Sequence, residues 1–172
     1  KRYRERWPLA KAQYAYFSQW FYPVIREMLA LPGFEENYEK IAESVQPNIR
    51  RLDAERAIAD MIQLGLIVRD RNGKLKQGNS NVFADGDVKS VELIKFHKSM
   101  IEMGSNAIDR FDSKRREISA VTICLSDSAL KKMKKEIFDF QQSLIERYGS
   151  PKASDRFVFQ VNIQAFPVQL QS

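Results

Sequence analysis

Cysteine and histidine are nearly missing from this sequence of 172 residues, which has one of each, Cys124 and His97. A single cysteine cannot form a disulfide within the chain or build a thiolate zinc site, so we expect a reducing, cytoplasmic setting. With one histidine, a metal site would depend on carboxylates, and no Asp or Glu near it has a recognised ligand spacing. The sequence therefore predicts neither a metal nor a cofactor, and it excludes disulfide-stapled scaffolds.

Long hydrophobic runs are also lacking. No stretch approaches the roughly 18 apolar residues that would cross a bilayer, and no apolar region follows the charged residues 1–6 as it would in a signal peptide. We therefore expect no membrane partner. The chain has no initiating methionine and begins inside an amphipathic stretch, which leads us to expect a fragment of a longer protein.

Catalytic constellations are missing as well. The one enzymatic alternative is a nucleophilic pair of Cys124 and His97, since a thiolate needs a base within hydrogen-bond reach. Cys124 falls in the middle of an apolar stretch, which is typical of an inert core thiol. His97 falls on a predicted helix, where a hydrogen-bonded interior or boundary position is expected. The sequence therefore favours a protein that is not an enzyme.

What the sequence has is an excess of basic residues. The net charge is +6 and the pI is near 9.4, but charged residues of both signs make up 29% of the chain. This balance is compatible with nucleic-acid binding and also with an ordinary solvated surface.

Helical spacing predicts the first two elements of residues 1–83. Apolar residues recur every three or four positions from Leu9 to Leu31, with Pro23 as a kink or restart point. A short second helix is predicted over residues 38–45, and Pro47 follows its end.

A third helix and a hairpin follow. The helix is predicted from Asp53, as N-cap, to Leu64, with Gly65 as the residue after its end. Strands are predicted over residues 66–70 and 74–77, joined by a turn in which Asn-Gly favours positive φ. Helices followed by a hairpin give the order of a winged helix.

In a winged helix the third helix enters the major groove and the hairpin contacts phosphates. From residue 50 to 76 there are seven basic residues against four acidic ones. The candidate DNA-binding residues are these seven: Arg50, Arg51, Arg56, Arg69, Arg71, Lys74 and Lys76. Because Asp53, Glu55 and Asp60 on the helix would repel phosphates, a winged helix kept only for packing or dimerisation is the open alternative.

Residues 84–172 are predicted to form an α-β-α-β half with a small sheet, so the fold class is α+β. A long helix is predicted from Val88 to Phe111, followed by a strand over residues 117–125. Ser126 is predicted to cap a helix that runs to Tyr148, and the last strand covers residues 157–165.

Three features predict a homodimer. The first predicted helix has more aromatic residues than one helical face can bury, and the last helix has the three-and-four spacing of a coiled-coil seam or of a helix packed on a sheet. A two-stranded sheet also has edges that tend to pair with another chain. The candidate interface residues are Phe17, Trp20, Phe21, Leu130, Met133, Ile137, Phe140 and Leu144. The aromatic cluster is alternatively the wall of an effector pocket.

Several strings, taken in order, resemble a known family: residues 16–20, 24–27, 64–67, 96–100, 116–119 with 125–126, and 161–167. Together they resemble the Fibrobacter-type paralogous family, whose shared region is a domain of unknown function and whose members are described as transcriptional regulators. The resemblance implies a regulatory domain of a bacterial protein, acting in dimerisation, effector sensing or auxiliary DNA contact. It also implies that a separate helix-turn-helix module upstream binds most of the DNA, and it supplies no catalytic residue. The rival hypothesis is an interaction module with no nucleic-acid role.

Overall fold

The computed structural model describes residues 16–78, 91–149 and 156–169. Two units divide the chain: one comprises Lys1–Arg110 with Asp155–Ser172, and the other comprises Phe111–Ser154. The boundary predicted between residues 83 and 84 lies outside the described residues. The elements are the helices α1 (Phe21–Met28), α2 (Tyr38–Ser44), α3 (Arg51–Gln63), α4 (Val91–Arg110) and α5 (Asp127–Tyr148), the strands β1 (Ile67–Arg69) and β2 (Leu75–Gln77), and a 3₁₀ turn (Ser113–Arg115).

The first predicted helix is interrupted, as the proline indicated. Helix α1 begins at Phe21 after a break over residues 17–20, and Pro23 lies in its first turn. Proline is tolerated there because the first amides of a helix have no partner within the helix. The part of the prediction before residue 16 lies outside the described residues.

Helices α2 and α3 have different starts. The side chain of Asn37 accepts a hydrogen bond from the Lys40 amide at 3.1 Å and caps α2. The prediction that Asp53 caps α3 is wrong, because α3 begins at Arg51 and its N-cap residue, Arg50, makes no side-chain cap. Asp53 instead lies in the first turn, where a carboxylate is favoured by the helix dipole.

Gly65 ends α3 as predicted. Its φ is +71°, a region that favours glycine, and its amide donates to the Ile62 carbonyl at 3.0 Å. The Leu66 amide reaches back to the Met61 carbonyl at 2.9 Å, which completes a Schellman motif.

The chain then turns into an antiparallel hairpin in which Ile67 pairs with Gln77 and Arg69 pairs with Leu75. Gly73, at φ +77°, supplies the positive φ that the Asn-Gly turn predicts. This hairpin is the only sheet within the described residues, and it gives the α+β class that the sequence predicts. The order of α2, α3 and the hairpin is that of a winged helix, and that finer assignment stays a prediction.

One core holds α1 to α4 and the hairpin together. Its largest fully buried side chains come from the first three helices, from β1 and from the residue before β1: Ile25, Ile41, Ile58, Met61, Leu66 and Ile67. Helix α4 adds Leu93, Phe96 and Met100, which share one face at helical spacing. Among the described residues, every buried one belongs to the unit that contains α1 to α4.

The two strands predicted after residue 84 are absent from the structure. Residues 117–125 and 156–167 belong to no helix and to no strand ladder. A strand exists only when another strand accepts and donates its backbone hydrogen bonds, so a strand-like sequence pattern alone does not produce one. Helix α5 agrees with its prediction at both ends, since Ser126 caps it by accepting from the Ala129 amide at 3.2 Å and Gly149 follows it.

Candidate functional site

The candidate DNA-binding arginines at the start of α3 are largely neutralised by neighbouring carboxylates. Arg50 donates two hydrogen bonds of 2.8 Å to Asp53, from Nε and from Nη2. Arg51 lies 3.7 Å from Glu55, one helical turn further on. Arg56 is exposed and makes no ion pair with any residue that the structure describes. The start of this helix therefore offers one uncompensated cation to a phosphate.

The hairpin carries the other four candidates, and two of them are also paired. Arg69 makes a bidentate pair with Glu36, at 2.7 and 2.8 Å, and donates to the Gly73 carbonyl at 2.8 Å. Lys76 lies 3.0 Å from Asp70. Across residues 16–78, 91–149 and 156–169, neither Arg71 nor Lys74 has an ion-pair partner, and both are exposed.

The same contacts lower the pKa values of the paired carboxylates. The hydrogen bond that Arg69 donates holds the pKa of Glu36 below its usual value, and Arg50 does the same for Asp53. The Asp70 pKa is lowered first by Lys76 and then by the Asn72 amide, which donates to Asp70 at 2.8 Å. All three carboxylates therefore stay ionised at neutral pH and compete with phosphate for the basic residues.

Sequence reasoning missed the buried arginine of α1. Arg26 is 8% exposed, and it donates from Nε to the Leu66 carbonyl at 3.2 Å and from Nη2 to the Gly78 carbonyl at 3.0 Å. Gln77 returns a hydrogen bond of 3.0 Å to the Arg26 carbonyl. These contacts fix both ends of the hairpin to α1. The signal in the sequence was a charged residue within the apolar face of a helix.

Tyr22 makes a second, partly buried polar contact on α1. Its hydroxyl donates to Asp60 on α3 at 2.7 Å. Burial is the main cause of a raised pKa for this phenol, and the Asp60 contact adds to it. The pair links two helices and has the features of a structural contact.

Two shallow clefts open beside the residues that precede α1. The first, of about 300 Å³, lies between the start of α1 and the start of α3, and Arg50, Asp53 and Arg56 line it. The second, of about 400 Å³, has Trp20 and Phe96 on its wall together with Lys95, Lys98 and Glu102. Trp20 thus lines a cleft, as the effector-pocket alternative requires, but the rest of that wall is largely polar.

The candidate interface residues fall into two groups. The structure assigns Phe17 and Phe21 to the core, where they are 7% and 8% exposed, so these two aromatics do not form a surface patch. Phe17 packs edge-on against Phe96 of α4, with ring centroids 4.8 Å apart, so α4 covers part of this aromatic surface. Trp20 is half-buried and packs edge-on against Phe21.

The seam of α5 is open. Leu130 and Phe140 are 41% and 52% exposed, and Met133, Ile137 and Leu144 are only half-buried. No described residue of the unit Phe111–Ser154 is buried. A packing surface for this helix within its own unit is therefore not found among the described residues.

The predicted burial of the lone histidine and cysteine is wrong. His97 is on α4, as predicted, but it is exposed because α4 buries the adjacent face of Leu93, Phe96 and Met100. Cys124 is exposed because residues 117–125 join no sheet. Among the described residues no group of histidine, cysteine and carboxylate side chains could hold a metal ion. None of the described helices is long and apolar enough to cross a membrane.

This arrangement defines an α+β chain with a helix-helix-hairpin segment and a second unit that exposes its apolar residues. The family model for "Domain of unknown function (DUF4423)" matches residues 1–168, and the chain belongs to this family. No curated protein matches the chain significantly. No solved structure does so either.

Proposed function

We propose that this chain is a non-enzymatic regulatory domain of a bacterial transcription-regulator-like protein and that it acts by joining two copies into a symmetric dimer. The observation that carries the proposal is the surface of the unit Phe111–Ser154. Ten large apolar side chains of its described residues are 39% to 80% exposed, and none is buried. Apolar side chains exposed in this number mark an interaction site. A two-fold contact is the commonest way to cover it.

Sedimentation velocity across a range from about 1 to 100 µM tests this proposal, because that range covers dimers whose association free energy is about −5.5 to −8.2 kcal/mol. The expected species has twice the 20.0 kDa mass of the chain. A monomer throughout the range contradicts the dimeric function.

Phe140→Asp locates the contact on α5. Phe140 is 52% exposed, so a charge there leaves the core of α1 to α4 intact and is expected to split the dimer. Lys131→Asp is the matched control, since nine residues at 100° each place Lys131 on the opposite side of the same helix. Equal dissociation by both substitutions would show that charge alone, and not the seam, is responsible.

A direct contact with DNA is a secondary part of the proposal. Arg71 and Lys74, together on the loop of the hairpin, are the residues best placed for phosphate contact. Both are exposed, no acidic side chain among the described residues pairs with them, and Arg56, the other such cation, lies alone among the paired arginines of α3. Two phosphate contacts give a weak affinity that falls by about tenfold between 50 and 200 mM salt. This hairpin therefore fits an auxiliary contact beside a stronger DNA-binding module.

The alternative function is a protein interaction module with no nucleic-acid role. The ion pairs of Arg50, Arg51, Arg69 and Lys76 favour it, because a phosphate would have to displace a carboxylate at each of them. Fluorescence anisotropy on a labelled duplex at two salt concentrations separates the two functions. Binding that appears at low salt and weakens in the double variant Arg71→Ala/Lys74→Ala supports DNA contact, and no binding at low salt leaves the interaction module.

A further inference from the structure

The second cleft is bordered by a polar face of α4, beside the face that this helix buries. Lys95, Lys98, Ser99 and Glu102 line the cleft, and their spacing of three and four residues makes them neighbours on the helix surface. Trp20, from the residues that precede α1, lines the same cleft of about 400 Å³. All five residues belong to the unit that contains α1 to α4. The cleft therefore combines an aromatic wall with a charged one.

Aromatic contacts fix the chain on both sides of Trp20. Phe17 packs edge-on against Phe96 of α4, and Phe21 packs edge-on against the Trp20 indole with ring centroids 5.7 Å apart. Both Phe17 and Phe21 are buried, whereas Trp20 is only half-buried. The core thus holds the indole at the cleft without covering all of it. An indole held in this way offers a stacking surface to a planar ring, because aromatic rings attract each other in offset stacks.

Lys95 and Lys98 are exposed cations three residues apart on this face. Within the described ranges, no side-chain hydrogen bond or ion pair joins either lysine to another residue, and the same holds for Glu102, four residues after Lys98. Like charges that are neighbours on a helix repel each other, so an anion that reaches both lysines is favoured. The hydroxyl of Ser99 supplies a further hydrogen-bond donor on the same face.

Each part of the cleft wall suits one part of a ligand. A phosphate monoester suits the two lysines and the Ser99 hydroxyl, since it carries a charge of about −1.5 to −2 and three strong acceptor oxygens at neutral pH. A planar ring suits Trp20. The Glu102 carboxylate, when ionised, accepts hydrogen bonds and does not donate them, so it suits a hydroxyl or amino group. A nucleoside monophosphate carries all of these groups on one molecule.

The size of the cleft fits one nucleotide. Ligand clefts measure about 300 to 1,000 Å³, so a volume of about 400 Å³ takes a ligand at the small end of that range. A protein that binds single strands presents instead a basic groove that follows the backbone over about 4–16 nucleotides. Lys95 and Lys98 are the only basic residues of the described chain that line this cleft. The phosphate site is therefore too short for a strand.

We propose that this cleft binds a free nucleoside monophosphate, with the base on Trp20 and the phosphate between Lys95 and Lys98. Glu102 accepts a hydrogen bond from the sugar or from the base. Stacking accepts every base, because each has a π-face, so this arrangement recognises the class of ligand and not one base. The proposal is independent of the dimeric function proposed above, since no residue of the unit Phe111–Ser154 takes part in the site.

Isothermal titration calorimetry of the whole chain tests the proposal with AMP, GMP, CMP and UMP as probes. At least one of them is expected to bind with a Kd of about 1 mM or tighter. The matching nucleoside, which lacks the phosphate, and ribose 5-phosphate, which lacks the base, are each expected to bind at least about tenfold more weakly. The proposal is overturned if no mononucleotide binds or if ribose 5-phosphate binds equally well. Tighter binding of a single strand of about ten nucleotides also overturns it, because the ligand would then be a nucleic acid.

Two variants locate the bound nucleotide. Lys95→Ala/Lys98→Ala removes the phosphate contacts and Trp20→Leu removes the stacking surface, and each is expected to weaken binding by at least about tenfold. Lys131→Ala/Lys132→Ala is the control for charge, since it removes two cations from exposed positions of α5, and its Kd is expected to equal that of the parent chain. An unchanged Kd in either cleft variant, or equal losses in the two lysine variants, overturns the site.

A third variant leaves the cleft unchanged and reports on the indole. The chain has two tryptophans, Trp7 and Trp20, so Trp7→Phe leaves Trp20 as the only one. Its fluorescence is expected to be quenched by the nucleotide with the Kd found by calorimetry, and binding without quenching overturns the stacking on Trp20. Circular dichroism of each variant must match that of the parent chain, and if Trp20→Leu fails this check, the quenching decides the stacking. Sedimentation of the same samples reports the dimer separately, so a dimer that binds no nucleotide overturns the site and leaves the dimeric function standing.

Discussion

Arg26 gives the sharpest test of how the hairpin is attached, because one buried side chain binds both of its ends. The variant Arg26→Met keeps the length and the apolar stem but removes the donors to the Leu66 and Gly78 carbonyls. Hydrogen bonds to a charged group are worth about 1.5–3 kcal/mol each. Relief of the desolvated guanidinium offsets part of that sum.

The expected loss in the free energy of unfolding is therefore about 3 kcal/mol, which corresponds to a fall in Tm of about 6–12 °C for a chain of this length. Urea titration followed by circular dichroism measures it. Arg26→Lys is expected to recover less than half of the loss, since one ammonium cannot reproduce two directional bonds from a planar guanidinium.

Glu27→Gln is the matched control for charge. Glu27 pairs with Arg26 at 3.3 Å but is 51% exposed, so its removal is expected to change stability by less than about 0.5 kcal/mol. If Arg26→Met and Glu27→Gln have equal effects on stability, the two hydrogen bonds from Arg26 to the Leu66 and Gly78 carbonyls are not what holds the hairpin.

Three further predictions concern the same unit. Gly78→Ala is expected to destabilise the protein, since a Cβ there would lie 2.1 Å from the Gly65 carbonyl oxygen. Gly104→Ala, whose Cβ would have its nearest neighbour at 3.7 Å, is expected to stabilise α4 by about 0.5–1 kcal/mol. Thermal unfolding of both variants tests this, and a Gly78→Ala protein as stable as the parent contradicts it. Asn37→Ala removes the cap of α2 and is expected to cost about 1 kcal/mol in the same assay, and no change would show that the cap contributes nothing. Arg69 lowers the pKa of Glu36, so the pair stabilises the fold at pH values above the unfolded pKa of about 4.3, and this contribution is lost as the pH falls further. Glu36→Gln is therefore expected to give a shallower loss of stability between about pH 5 and pH 3 in urea titrations. An unchanged slope would refute the pairing.

Local signals account for the parts of the fold that sequence predicts. Gly65 and Gly73 both adopt the positive φ that their contexts indicate, and Ser126 caps α5 within its own turn. Each of these depends on residues within a few positions. The wrong prediction at Asp53 also concerns only a few positions. A carboxylate is favourable both as N-cap and in the first turn of a helix, and the sequence does not distinguish the two.

Long-range contacts account for what sequence could not predict. The partners of Arg26 lie 40 and 52 positions away, and nothing in the string around Arg26 identifies them. The candidate arginine Arg69 was predicted as a phosphate contact, but its carboxylate partner is 33 positions earlier at Glu36. The strands over residues 117–125 and 157–165 failed as predictions within one chain for a related reason, since a strand requires a partner that the pattern does not specify.

Helix α5 allows a last prediction that links assembly to secondary structure. It has 22 residues, the most of any described helix, and no residue of its unit is buried among those that the structure describes. Most helical stability in proteins comes from packing of an apolar face and not from helix propensity, so a helix with no packing partner is expected to be only partly formed. If the dimer supplies that packing, dilution below the Kd is expected to lower the helical ellipticity by up to the share of α5, while the core of α1 to α4 keeps its near-ultraviolet signal. Dissociation seen by sedimentation with no change in ellipticity would mean that α5 is stable without a partner, and the argument that a second copy completes this unit would then fail.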